Sequence, residues 1–281
     1  MPDNKPVSDN AAPTVIENPW RRLREYTDAR IGLGRAGISL PTRELLEFQL
    51  AHARARDAVH FPLDVAALVD ELKPILAPKL PGDPIVLHSE AEDRYTYLQR
   101  PDLGRVLSDE AQEQLSAVAD RDKGFDLALV VVDGLSSSAV QSNAVPFLTA
   151  FLQALEQDER DWTLAPVTVV EQGRVAIGDV IGASLKARAV AVLIGERPGL
   201  SAPDSLGIYL TWAPGPAMTD ANRNCISNVR PAGLGFEQAS QRLLYLLHEA
   251  HRLKLSGVGL KDRTEEVVVD NTQTNRNFLA N

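Results

Sequence analysis

Residues 189–194, Ala-Val-Ala-Val-Leu-Ile, form an unbroken apolar burst that halts at Gly195-Glu196-Arg197-Pro198-Gly199-Leu200. A strand with no polar face has nothing to offer water. Such a run reads as an interior strand of a parallel sheet, covered on both sides. Open α/β sheets meet their ligands at the carboxyl ends of such strands. Glu196 therefore stands where a small molecule would be received, on a loop whose Pro-Gly pair fixes its shape.

The surrounding sequence alternates in the same way. Strands are expected at 126–132, 167–170, 189–194 and 205–212, with helices at 138–157, 177–186 and 236–255. Strand–helix alternation at this spacing predicts an α/β fold, a parallel sheet covered by helices, over residues 121–260. Residues 18–120 read as a mostly helical N-terminal region. Trp20, Leu23, Tyr26 and Ile31 recur near helical spacing. Pro41-Thr42 opens a second helix with an apolar face of Leu45, Leu46, Phe48, Leu50 and Ala51, and Val65 to Leu72 forms a third. Pro74, Pro78, Pro81 and Pro84 then mark a connection, and Ser108 caps a further helix. Residues 1–17 read as a flexible arm and residues 261–281 as a polar tail.

Composition excludes several classes. A formal net charge of −9 disfavours binding to a nucleic-acid backbone. No segment approaches the roughly 20 apolar residues of a membrane span. The single cysteine, Cys225, rules out an intrachain disulfide and a multi-cysteine metal site, in keeping with a reducing, cytoplasmic compartment.

Each remaining motif has an ordinary reading beside a functional one. Gly32, Gly34 and Gly37 spell G-x-G-x-x-G, which would make the chain a stand-alone dinucleotide-dependent oxidoreductase. That reading requires a strand directly before Gly32, where the sequence has a charged helical pattern; the alternative is a close backbone turn. Asp133-Gly134-Leu135-Ser136-Ser137-Ser138 follows the first strand, either as a polar or anion site at a helix N-terminus or as a plain cap made by Ser137 or Ser138. Gly173-Arg174-Val175 offers an apolar contact to a ligand or ordinary loop packing. Cys225 is either a small apolar residue or, less expected without a nearby histidine, a nucleophile. His248 and His251 share a helix face in a solvated or capping role. No constellation forms a complete catalytic site, which points to a binding subunit whose chemistry a partner completes.

Seven ordered segments resemble the small (light) subunit of ethanolamine ammonia-lyase. They are Asn18-Pro19-Trp20, residues 29–37, residues 94–105, Asp133-Gly134-Leu135-Ser136, Gly173-Arg174-Val175, residues 195–200 and Cys225-Ile226-Ser227-Asn228. The resemblance implies that the sheet over residues 121–260 is Rossmann-like. It implies an adenosylcobalamin-dependent radical deamination of ethanolamine to acetaldehyde and ammonia. It implies a hetero-oligomer with a barrel-shaped large subunit that carries the substrate site, and cobalamin contacts at Val175, Glu196 and Cys225, with no catalytic residue in this chain. In some relatives the N-terminal arm addresses the enzyme to a bacterial microcompartment; residues 1–17 show no clear amphipathic pattern. No histidine here stands in D-x-H-x-x-G, so the cofactor is expected to keep its own dimethylbenzimidazole on cobalt.

Overall fold

The computed structural model describes residues 15–80, 82–118 and 124–264. Most of the expected arm, the junction near residue 120 and the tail beyond residue 264 lie outside the described residues. The architecture is α/β, with six strands in the order β1-β3-β2-β4-β5-β6. These are β1 (Ile85–His88), β2 (Phe125–Val132), β3 (Thr168–Glu171), β4 (Ala187–Gly195), β5 (Leu206–Trp212) and β6 (Arg223–Val229).

β2 and β4 form the centre, and the sequence shows why. Leu127 through Val132 and Ala189 through Leu193 are buried almost completely, on both faces. Each such valine or leucine contributes about 1.5–3 kcal/mol on leaving water. Alternation along the strands divides these side chains between two cores. Leu127, Leu129, Val131, Ala191 and Leu193 face α2 (Val65–Leu76), α5 (Ser137–Glu156) and α7 (Phe236–Leu253). Ala128, Val130, Val132, Val190 and Val192 face α4 (Asp109–Val118) and α6 (Ile177–Ser184).

β2 exits to α5 on one face and its neighbour β3 exits to α6 on the other. Their carboxyl ends therefore flank a crevice, the topological switch point where open sheets bind ligands. Gly134, with φ +61°, and Gly195 let the loops beyond β2 and β4 cross backbone to backbone. A Cβ on Gly195 would stand 2.0 Å from the Ser136 carbonyl oxygen and 2.6 Å from that of Asp133.

Several expectations are corrected. The sheet is mixed, not parallel: β1, β3, β2 and β4 are parallel, whereas β5 and β6 run antiparallel. Within the N-terminal stretch read as mostly helical, Ile85–His88 pairs with β3 as an edge strand. The expected helix from Trp20 to Ile31 is a short 3₁₀ turn, Pro19–Glu25, which buries none of its residues among the described ones and leaves Trp20 and Tyr26 exposed. α1 (Thr42–His60) forms where expected, but its apolar residues point outward. Leu45, Leu46, Phe48 and Leu50 are exposed, while Glu44 is buried against Arg24 at 3.1 Å. Pro74 does not end α2, which continues to Leu76.

Gly32, Gly34 and Gly37 carry φ of +61°, +76° and +60°, and no strand precedes Gly32. Around them are only single bridges, between Ile16 and Arg35 and between Ala36 and Ser39, so the glycines serve a backbone turn. Ser136, not Ser137 or Ser138, caps α5: its Oγ accepts from Ala139 N at 3.2 Å. His248 and His251 are neither simply solvated nor caps. Both rings meet Trp162 edge-on, His251 also meets Trp212, and His248 Nε2 lies 2.8 Å from Asp158. Among the described residues no helix is long and apolar enough to cross a membrane.

Candidate functional site

At the carboxyl edge of β2, β3 and β4 lies a cleft of 420 Å³. Its walls include Tyr97, Leu135, Val175, Ile194, Glu196 and Tyr209. Two wider hollows, one along residues 17–25 and one beside His88 and Glu90, are lined mainly by charged or polar residues. The switch-point cleft combines apolar walls with three charged residues, Glu196, Arg174 and Arg197, a mixture of apolar surface and a few polar groups typical of small-molecule sites.

The structure brings the three sequence candidates to this region. Val175, half-buried, closes the loop between β3 and α6. Glu196 follows β4 directly. Cys225, exposed on β6, lies directly opposite Tyr209 of β5, so it joins the site as the cross-strand neighbour of Tyr209 rather than on the cleft wall itself. Partial burial pushes the thiol above its usual value, with Glu196 adding to the effect and the Tyr209 contact opposing it. An uncharged thiol beside a phenol is a packing and weak hydrogen-bonding group, not an activated nucleophile.

Glu196 is the polar centre of the cleft. Its carboxylate accepts from the Ser205 hydroxyl, from Ser227 Oγ at 2.5 Å and from Asn228 N at 3.2 Å. The side chain lies over Gly207, where an added Cβ would stand 3.0 Å from both Cγ and Oε1 of Glu196.

The opposite wall is braced by side chains from α3 (Arg94–Gln99), which contribute much of the site's electrostatics. Arg94 donates to Val59 O and Gly134 O, both at 2.7 Å, and stands 3.5 Å from Asp133. Asp133 in turn accepts from Gln172 N at 2.9 Å and Gly173 N at 3.1 Å, tying the β2 and β3 exits together. Burial pushes the Asp133 carboxyl up to about 6, although Arg94 and the N–H donors pull it down. The loop reading of Asp133–Ser138 as an anion site is thus met from within: the carboxylate of the chain itself takes the N–H groups. Tyr97 is wholly buried, lies between the guanidinium groups of Arg94 and Arg174, and donates to Gly173 O at 3.1 Å.

Sequence reasoning missed Tyr209, Arg94, Tyr97, Ser205, Gly207 and Ser227 as parts of the site. Tyr209 was readable: Leu206, Ile208 and Leu210 alternate onto the α5/α7 face, so Tyr209 must point to the other. The segment containing Arg94 and Tyr97 carried the family resemblance without a local hint of role, because its contacts lie far off in the chain.

An α/β chain with an apolar-walled cleft carrying Glu196 at its switch point belongs to the class of α/β proteins that bind small molecules at the sheet's carboxyl edge. Comparison with known proteins identifies the group. Residues 17–261 match the family described as ethanolamine ammonia-lyase light chain (EutC). The ethanolamine ammonia-lyase small subunit of Pseudomonas putida (strain W619) is 54% identical over 275 residues, covering 96% of this chain and 98% of that protein. That of Azotobacter vinelandii (strain DJ / ATCC BAA-1303) is 54% identical over 265 residues, 94% of this chain and 95% of its own length. That of Pseudomonas aeruginosa (strain UCBPP-PA14) is 56% identical over 251 residues, 89% of each. The chain belongs to the ethanolamine ammonia-lyase small-subunit family.

Proposed function

We propose that this chain holds adenosylcobalamin at the carboxyl edge of its Rossmann-like sheet, against the large subunit of an ethanolamine ammonia-lyase. The complex deaminates ethanolamine to acetaldehyde and ammonia. The observation that carries the reading is the convergence of Val175, Glu196 and the Tyr209–Cys225 pair around one open cleft. These come from four separate parts of the chain: the loop between β3 and α6, the position just after β4, strand β5 and strand β6.

The residues suit the group. A corrin is a broad disc with apolar faces and an amide-fringed rim. Val175, Leu135, Ile194 and the Tyr209 ring supply apolar contact, and Glu196 accepts from an amide N–H or a hydroxyl. The cleft is too small to enclose such a disc by itself, which fits a cofactor clamped between two polypeptides. When bound, adenosylcobalamin supplies the radical chemistry of the reaction. The contribution of this chain is to grip one side of the cofactor, fix its orientation and keep water from the interface.

Exposed apolar residues support a second polypeptide. Trp20, Tyr26, Ile38, Leu46 and Phe61 are 68%, 85%, 106%, 58% and 61% exposed. Monomeric proteins seldom leave so much large apolar side chain in water within one region. On this reading residues 18–120 serve mainly partner contact and residues 121–260 mainly the cofactor. The large subunit, a barrel that carries the substrate, supplies the remaining catalytic groups.

The test is co-expression with a large subunit. The purified complex is expected to consume ethanolamine only with adenosylcobalamin and to show a corrinoid visible spectrum. Glu196→Ala is expected to lose cofactor affinity by about tenfold or more, the effect of removing a charge-assisted hydrogen bond. Full activity without cobalamin would end the proposal.

A further inference from the structure

The contacts of Glu196 depend on an irregularity in the sheet. Leu206 pairs with Val229 and Ile208 with Ile226, so Gly207 alone stands opposite both Ser227 and Asn228. Two residues against one is a β-bulge. In a regular strand, consecutive residues present their side chains to opposite faces. Here Asn228 adopts φ +60°, in the left-handed region that non-glycine residues avoid at a cost and asparagine tolerates best. The result is that the Ser227 hydroxyl and the Asn228 N–H both meet the Glu196 carboxylate. Ser205, the residue immediately before β5, donates from below, and Gly207 leaves the space in which the carboxylate lies.

Glutamate has rotatable bonds whose freedom is lost when a ligand fixes it, and that loss weakens binding. A glutamate already pinned by three donors has given up that freedom during folding. Ser205 and Asn228 both address Oε2, whereas Ser227 addresses Oε1. The second acceptor position of Oε1 is left for a ligand. The free position is an acceptor on a carboxylate oxygen, so the ligand group that matches it is an N–H or O–H donor, which a corrin rim offers as neutral amides.

We propose that the bulge in β6 is a built cradle in which Ser205, Ser227 and the Asn228 N–H act as positioning residues. They hold Glu196 over Gly207 in the one orientation that accepts a neutral donor from the corrinoid rim. The inference rests on the reading that Glu196 faces cobalamin, and the experiment separates the two.

The test is a double-mutant cycle in the co-purified two-subunit complex, with affinity for hydroxocobalamin read by visible-absorption titration. Ser227→Ala is expected to weaken binding about tenfold, as for one hydrogen bond to a charged group. Ser227→Thr, which keeps the hydroxyl on an exposed strand position, is expected to restore it. In the Glu196→Ala background Ser227→Ala should change affinity by less than about twofold, because the cradle then has nothing to hold. With adenosylcobalamin, the same serine change should raise the cofactor KM and leave kcat at saturation unaltered. Equal losses from Ser227→Ala in both backgrounds overturn the cradle. So does a loss in Glu196→Ala with none in Ser227→Ala. If Glu196→Ala itself leaves affinity unchanged, the placement of Glu196 against cobalamin is wrong and the cradle falls with it.

Discussion

Replacing Arg94 by methionine should destabilise the cleft by an amount that depends on pH in a defined direction. Burial raises the Asp133 carboxyl from 3.8 to about 6, with Arg94 beside it as the main opposing influence. That rise means that ionising Asp133 in the folded state costs about 3 kcal/mol relative to the unfolded chain. Between pH 3.8 and 6 the folded state binds more protons than the unfolded state, so this group's contribution to stability falls as pH rises through that window. Without Arg94 the carboxyl titrates higher still, and the penalty at alkaline pH grows. At pH 8 a buried, unpaired carboxylate would remain, and the loss should be about 3–5 kcal/mol. At pH 5 Asp133 is mostly protonated. The variant then forfeits chiefly the hydrogen bonds to Val59 O and Gly134 O, and the loss should be smaller by about 1–2 kcal/mol. Arg94→Lys, which keeps the charge without the fork, should recover the pH-dependent part alone. Native-state amide exchange of β2 and β3 in the complex at pH 5 and pH 8, corrected for intrinsic rates, reads these differences. The same loss at both pH values would refute the pairing of Arg94 with Asp133 as the source of the effect.

Acidification should expose a second titration of opposite sign. Burial holds the His251 imidazole down at about 4, below its ordinary 6.5. Here the unfolded state binds the extra proton, so stability falls as pH drops from 6.5 toward 4. His251→Phe, which preserves edge contact with Trp162 and Trp212, should flatten thermal stability across that range, measured as Tm at pH 7, 6 and 5. Gly195→Ala should lower stability by about 1–3 kcal/mol or more, because its Cβ meets backbone oxygens that no rotamer change can move. An unchanged Tm for the alanine variant would show that the crossing of the β2 and β4 loops is looser than described.

What was legible in the sequence was whatever was buried on both faces. β2, β4, α5 and α7 were found close to their true bounds because a continuous apolar run or a strong amphipathic stripe has one stable placement. β1 and β6 escaped for the opposite reason. β1 has only four residues, just after a proline-rich connection, and β6 is an edge strand whose polar face looks like a loop. The direction of β5 was legible and misjudged. Only residues 196–205 separate it from β4, too few for the helical crossover that a parallel neighbour requires. That error bears directly on the site. The antiparallel return of β5 carries Ser205 and Gly207 back beneath Glu196, and the hairpin into β6 adds Ser227 and Cys225. The three residues of the family resemblance could be placed near one sheet edge, but the donors that orient them depend on strand direction and on a bulge. Neither is written in local periodicity.

α1 shows a different limit. Its amphipathic pattern was read correctly as a helix, yet the pattern says only that an apolar face exists, not which molecule covers it. Within this chain the covered face belongs to Ala51, Ala58 and the Glu44–Arg24 pair, and the uncovered one to Leu45, Leu46, Phe48 and Leu50. Burying a glutamate and exposing leucines would be a poor arrangement for a helix whose only neighbour is its own domain. The arrangement fits a helix placed between two bodies, with Glu44 and Arg24 tying the Pro19–Glu25 turn to α1 and the leucines turned toward a second polypeptide. The Arg30 guanidinium lies 5.7 Å from the Phe48 ring and donates to Leu200 O at 3.4 Å, on the same loop that carries Glu196. The outward apolar face and the loop that carries Glu196 are thus joined through one arginine, so a polypeptide that covers Phe48 also bears on that loop.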